Sequence, residues 1–240
     1  MSLVLVGLGV GLDLTVNGIR ESKNADELYL ENYTNPFSKQ EIEQLEKEIG
    51  KNIQIIGRDH VEGSFLIEKA KNAKVVLLVS GDPLIATTHI TLIMEAWQKQ
   101  IETKVIHNSS IFSAAKGASG LQAYKFGRVV TLVNPREKYK PTSAIDLIRK
   151  NYEDDLHTLV LLDTEPNPME AKVALKMLEA FERAVVISRI GRTDEKITFG
   201  SISELKNKEL GNTPFTIIIP GKKMHFLEEE YFQKMSREDW

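Results

Sequence analysis

The sequence predicts an α/β protein of two α/β domains, with a parallel-type sheet in the N-terminal domain and a mixed sheet in the C-terminal domain. Three observations point there. Short apolar runs alternate with helical patterns through the first half, which is the signature of β-α-β units. Val75, Val76, Leu77, Leu78 and Val79 form an unbroken apolar run, as a strand covered on both faces requires. In the second half only two helical patterns of any length accompany five strand-like runs, which calls for antiparallel pairs.

Taken in order, residues 2–6, 27–30, 53–56, 74–79 and 104–106 read as strands, each an apolar-rich stretch in a β-α-β alternation. Helices are expected over 15–23, 38–49, 64–71 and 84–99. Ser38 is placed as an N-cap, and Glu41, three residues on, completes a capping box. Gly117, Ala118, Ser119 and Gly120 interrupt both periodicities, so a boundary is expected there, giving domains 1–117 and 118–240. Beyond it, 128–133, 158–162, 184–188, 196–199 and 215–219 read as strands, and 143–152 and 168–181 as helices. The run Glu228, Glu229, Glu230 reads as a solvated helix face.

Composition narrows the chemistry. A chain of 240 residues that is 42% hydrophobic can build one large core or two small ones. The absence of cysteine excludes disulfides, thiolate zinc sites, a cysteine nucleophile and cysteine-held iron–sulfur clusters. With 31 basic and 34 acidic residues the net charge is -3, so no nucleic-acid partner is expected. No stretch reaches the roughly 18 apolar residues of a membrane helix, so no membrane association is expected and the expected location is cytoplasmic.

Three polar loops follow predicted strands. Gly7, Gly9 and Gly11 form a glycine-rich turn after the first, but Leu12 stands where the dinucleotide pattern needs glycine, so a ligand loop and a purely conformational turn both remain open. Ser80-Gly81-Asp82-Pro83-Leu84 ends the fourth strand and launches the next predicted helix, with Pro83 in its first turn. Asp82 reads as the N-cap of that helix or as a carboxylate at a ligand edge, and His89, one turn further, is expected at the surface. His107-Asn108-Ser109-Ser110 follows the fifth strand. If the strands are parallel, all three loops share one sheet edge and can form one crevice. His60, His157 and His225 have no metal-ligand spacing, so no metal site is expected, and neither a nucleophile elbow nor a phosphate loop is present.

Residues 3–9, the string G-D-P-L-x-A-T-T-H over 81–89, residues 107–114 and residues 120–127, which end in Y-K-F-G, together resemble the diphthine synthase family of the tetrapyrrole methylase superfamily. Similarity continues through Pro141-Thr142-Ser143, Leu156-His157-Thr158-Leu159 and Ile219-Pro220-Gly221, so it covers essentially the whole chain. The resemblance implies a cofactor cleft between the domains, a homodimer, and repeated methyl transfer from S-adenosylmethionine to the amine of the modified histidine, 2-(3-amino-3-carboxypropyl)histidine, of translation elongation factor 2. By position in the matching motifs, it puts cofactor contacts at Val10, Asp82, Ile85, Ser110, Ile111, Leu162, Ile190 and Phe215. Phe215 stands where the family carries histidine. No residue is assigned as a catalytic base. Two other readings remain: a relative that methylates a tetrapyrrole precursor or ribosomal RNA, and a module that senses S-adenosylmethionine without catalysis.

Overall fold

The structure, a computed structural model, describes residues 1–135, 142–165 and 167–237; Pro141 of the matched Pro-Thr-Ser string lies outside them. The chain divides into two compact units, Met1–Ser110 and Ile111–Trp240.

The first unit is built on strands β1 (Ser2–Gly7), β2 (Glu27–Glu31), β3 (Gln54–Ile56), β4 (Lys74–Val79) and β5 (Glu102–Ile106), in the order β3-β2-β4-β1-β5. Every pair is parallel. The unbroken apolar runs follow from burial on both faces: Leu3, Leu5, Val75, Leu77 and Val79 enter one apolar cluster, while Val4, Val6, Val76 and Leu78 enter another on the opposite side. Helix α1 (Val16–Lys23) is capped by Thr15, and α2 (Lys39–Ile49) by the expected box, with Ser38 Oγ accepting from Glu41 N at 3.3 Å and Glu41 accepting from Ser38 N at 2.7 Å. Replacing Ser38 with alanine is expected to lower stability by about 1 kcal/mol in a denaturant titration. Two short helices follow, α3 (Arg58–Glu62) and α4 (Phe65–Ala70).

The helix predicted over 84–99 is shorter. Helix α5 runs Ile90–Gln98. Ala86 takes a left-handed φ of 58° that no α-helix accommodates, and the Pro83 carbonyl accepts from Thr87 Oγ1 at 2.9 Å instead of serving a helical ladder. Pro83 is therefore outside the first turn of α5, and Asp82 is not its N-cap. His89 is not at the surface: it is 2% exposed, with Nδ1 3.0 Å from the same Pro83 oxygen. The polar run Thr87-Thr88-His89 masked the inward course of the chain.

The second unit begins with α6 (Ile111–Ala118) and contains β6 (Val130–Leu132), α7 (Ser143–Glu153), β7 (Thr158–Leu162), α8 (Ala171–Met177), β8 (Arg183–Ser188), β9 (Lys196–Ser201), α9 (Ile202–Leu205), β10 (Phe215–Ile219) and α10 (Phe226–Met235). Its sheet has the order β6-β7-β10-β8-β9, parallel at β6/β7 and antiparallel elsewhere. Ala115 and Leu121 share an apolar cluster with Leu159, Val185 and Ile218, so the glycine-rich segment 117–120 sits inside this unit and the division falls ahead of α6.

Glu228 is no part of a solvated face. It is 2% exposed on α10 and accepts hydrogen bonds from Gln122 N at 2.8 Å, His225 N at 2.7 Å and Lys125 Nζ at 3.1 Å, with His157 Nε2 at 3.0 Å. Since His157 Nδ1 accepts from Gly221 N at 3.0 Å, the imidazole proton sits on Nε2 and points at Glu228. Burial holds the His157 imidazole below its ordinary value. Burial would raise the Glu228 carboxyl, but the four donors outweigh it and bring it to about 2. Three strings that carry the resemblance, 120–127, 156–159 and 219–221, thus meet at one buried pair. Among the described residues no helix is long and apolar enough to cross a membrane.

Candidate cofactor site

The parallel sheet of the first unit brings the loops after β1, β4 and β5 to its C-terminal edge. Gly9 and Gly81 form a two-way backbone bridge, Gly9 N to Gly81 O at 3.1 Å and Gly81 N to Gly9 O at 3.0 Å. A Cβ at Gly7 would lie 2.6 Å from Gly81 O and 2.9 Å from Asn108 Cβ. The glycines at these two loops therefore serve contact between loops, which resolves the ambiguity of the Gly7–Gly11 turn toward packing at Gly7.

Asp82 locks the arrangement. Its carboxylate is buried, and Oδ1 accepts from Leu84 N at 2.9 Å while Oδ2 accepts from Asn108 N at 3.3 Å and meets His107 Nδ1 at 2.8 Å. From the third loop, Asn108 Nδ2 donates to Gly7 O at 2.9 Å and to Asp13 O at 2.8 Å, and Ser109 Oγ accepts from Val10 N at 3.2 Å. The Asp82 side chain thus joins the loops after β4 and β5, and the side chains of Asn108 and Ser109 hold the turn after β1. Val10 is half-buried and Ile85 is exposed, so apolar surface adjoins these polar groups. Such a mixture fits a small ligand that carries both a flat ring and polar or charged groups.

The eight residues assigned from the resemblance fall in two groups. Val10, Asp82, Ile85 and Ser110 lie on the three loops at the edge of the first sheet. In the second unit, Leu162 ends β7, Phe215 begins β10 opposite Ser188, and Ile190 follows β8. Because β10 is antiparallel to both neighbours, with Thr216 opposite Leu161, these three positions share one edge of that sheet. Ile111, at the start of α6, packs with Ile190 on the same apolar cluster. The Phe215 ring sits in the other core cluster with Leu162, so its main chain is what this position presents. His107 and Asn108 were given no role by sequence reasoning; the signal available was the polar string directly after a strand.

A fourth strand end adds a carboxyl. Glu31, the last residue of β2, is 1% exposed; Oε2 accepts from Thr34 Oγ1 at 2.7 Å and Oε1 has no hydrogen-bond partner. Burial pushes this carboxyl up to about 7. A raised folded-state value means the contribution to stability is fully present below the unfolded value near 4.5 and is lost as pH rises through 7. Glu31→Gln is expected to flatten that loss, so the variant gains on the wild type in thermal unfolding at pH 8 while differing little at pH 4; parallel pH profiles would contradict the assignment. Among the described residues no group of three or more His, Asp or Glu side chains is arranged to hold a metal.

Residues 2–206 match the family of tetrapyrrole (corrin/porphyrin) methylases. The diphthine synthase of Methanocaldococcus jannaschii is 39% identical over 95% of this chain and 96% of its own length, and that of Methanothermobacter thermautotrophicus is 36% identical over 98% and 95%. A crystal structure of a diphthine synthase superposes with a TM-score of 0.89 at 35% identity, covering 99% of this chain and 96% of the other. A parallel sheet with three interlocked strand-end loops, a mixed second sheet and full-length similarity lead to one conclusion: the chain belongs to the tetrapyrrole methylase family and, within it, to the diphthine synthases.

Proposed function

We propose that the chain binds S-adenosylmethionine and transfers its methyl group repeatedly to the amine of 2-(3-amino-3-carboxypropyl)histidine in translation elongation factor 2. The observation that supports this most is the Asp82 clamp, which joins the loops after β4 and β5, while Asn108 and Ser109 tie the second of these to the glycine turn after β1. Val10, Ile85 and Ser110 then offer main-chain groups and apolar surface for the cofactor, with Asp82 fixing the shape they form.

The bound donor supplies an already activated methyl group, so the protein has three tasks: positioning, exclusion of water, and removal of a proton from the acceptor amine. No nucleophilic side chain is needed. Purified elongation factor 2 carrying the unmethylated precursor and labelled S-adenosylmethionine test the reading directly.

The reading includes a homodimer. Ile90, Met94 and Trp97 recur at i, i+4 and i+7 on α5 and are between 49% and 62% exposed, a row that a second copy would cover. Met94→Glu is expected to shift the protein toward monomer in light scattering, and an unchanged mass would remove α5 from the interface.

A further inference from the structure

We propose that His107, held by Asp82, is the base that takes the proton from the acceptor amine. This rests on the methyl-transfer reading above and adds to it the residue that makes the amine reactive. The geometry is that of an oriented imidazole. A buried carboxylate 2.8 Å from Nδ1 is an acceptor, so the proton of the neutral ring resides on Nδ1 and the lone pair is left on Nε2. The His107 side chain is 66% exposed while that of Asp82 is 8% exposed, so one end of the ring is fixed in the protein and the other faces outward. It does so at the sheet edge where Val10, Asp82 and Ser110 lie, three residues before Ser110 along the same loop.

Asp82 is itself immobilised. Its two oxygens also accept from Leu84 N and Asn108 N, so the imidazole is anchored to a carboxylate that cannot turn away. Titratable or charged groups on segments meeting this loop include Asp13, whose carbonyl accepts from Asn108, Lys104 on β5, which is paired to Glu21 at 2.6 Å, and the buried His89 after β4, whose Nδ1 lies 3.0 Å from the Pro83 oxygen. None of the three is hydrogen-bonded to the ring.

The step balances. The acceptor ammonium gives a proton to Nε2, leaving a neutral amine; the nitrogen lone pair then forms the N–CH3 bond while the S–CH3 electrons return to sulfur, turning the sulfonium into a thioether. Solvent discharges the imidazolium before the next transfer. General-base assistance of this kind is worth roughly 10²- to 10⁴-fold in rate.

The test is methyl transfer to precursor-bearing elongation factor 2 by the wild type, His107→Gln and His107→Ala across a range of pH. The expected result is a kcat lower by ~10²-fold or more in both variants near neutral pH, with cofactor affinity by calorimetry unchanged. The variant rates should rise with pH toward the range in which the amine ionises unaided, giving a pH profile different from that of the wild type. Added imidazole should restore part of the His107→Ala rate. A variant with the wild-type kcat and pH profile, or one changed only in KM, overturns the proposal while leaving the methyl-transfer reading intact. A wild type that transfers no methyl at any pH overturns that reading and this proposal with it.

Discussion

Glu228→Ala is expected to destabilise the second unit by about 3–5 kcal/mol, the scale of breaking a buried ion pair by removing one partner. Four donors converge on the carboxylate, and two of them, Gln122 N and His225 N, are main-chain groups that cannot turn elsewhere. The His157 imidazole, wholly buried, would keep its proton on Nε2 because Gly221 N occupies Nδ1, and that proton would face a cavity. The pH dependence has a definite sign. A carboxyl brought from 4.5 to about 2 by folding adds stability above its unfolded value and loses it as pH falls through the folded one. The contribution lost between those limits is roughly 3 kcal/mol. Urea unfolding at pH 7 and at pH 3 checks both statements: the wild-type advantage over Glu228→Ala should shrink at the lower pH, and a difference under 1 kcal/mol at pH 7 would show that the network is not structural in this way.

Asp82→Ala is expected to weaken S-adenosylmethionine binding by ~10- to 100-fold, since hydrogen bonds to a charged acceptor contribute about 1.5–3 kcal/mol and here they hold the loops in register. The substitution frees Leu84 N, Asn108 N and His107 together, so the turn after β4 and the loop after β5 lose their common anchor. Asn108 would still bridge to Gly7 and Asp13, so the β1 and β5 loops should remain associated. Calorimetry reads the affinity directly, and unchanged binding would remove Asp82 from the site. The comparison with His107→Gln is informative, because that variant should lose rate at full affinity whereas Asp82→Ala should lose both.

The sheets could be read from the sequence because parallel, doubly covered strands leave an apolar run with little competing signal. The strand ranges 74–79, 158–162 and 215–219 coincide with β4, β7 and β10. The capping box at Ser38 was equally readable, being set by two residues three apart. What escaped were features decided by distant partners. Glu228 looks like one member of an acidic surface run until His157 and Lys125 are placed beside it by the sheet. His89 looks exposed until the left-handed Ala86 turns the chain inward. At the site, the three strand-end loops were identifiable by position, but the Asp82–His107 contact joins residues 25 apart and depends on the order β4-β1-β5. No local pattern encodes that pairing.

The claim that organises all of this is enzymatic methyl transfer to a protein. Labelled S-adenosylmethionine, the purified chain and elongation factor 2 bearing the unmethylated modified histidine should yield label on the factor, and a factor without that modification should stay unlabelled. Tight binding of S-adenosylmethionine with no label on the precursor-bearing factor would contradict the account.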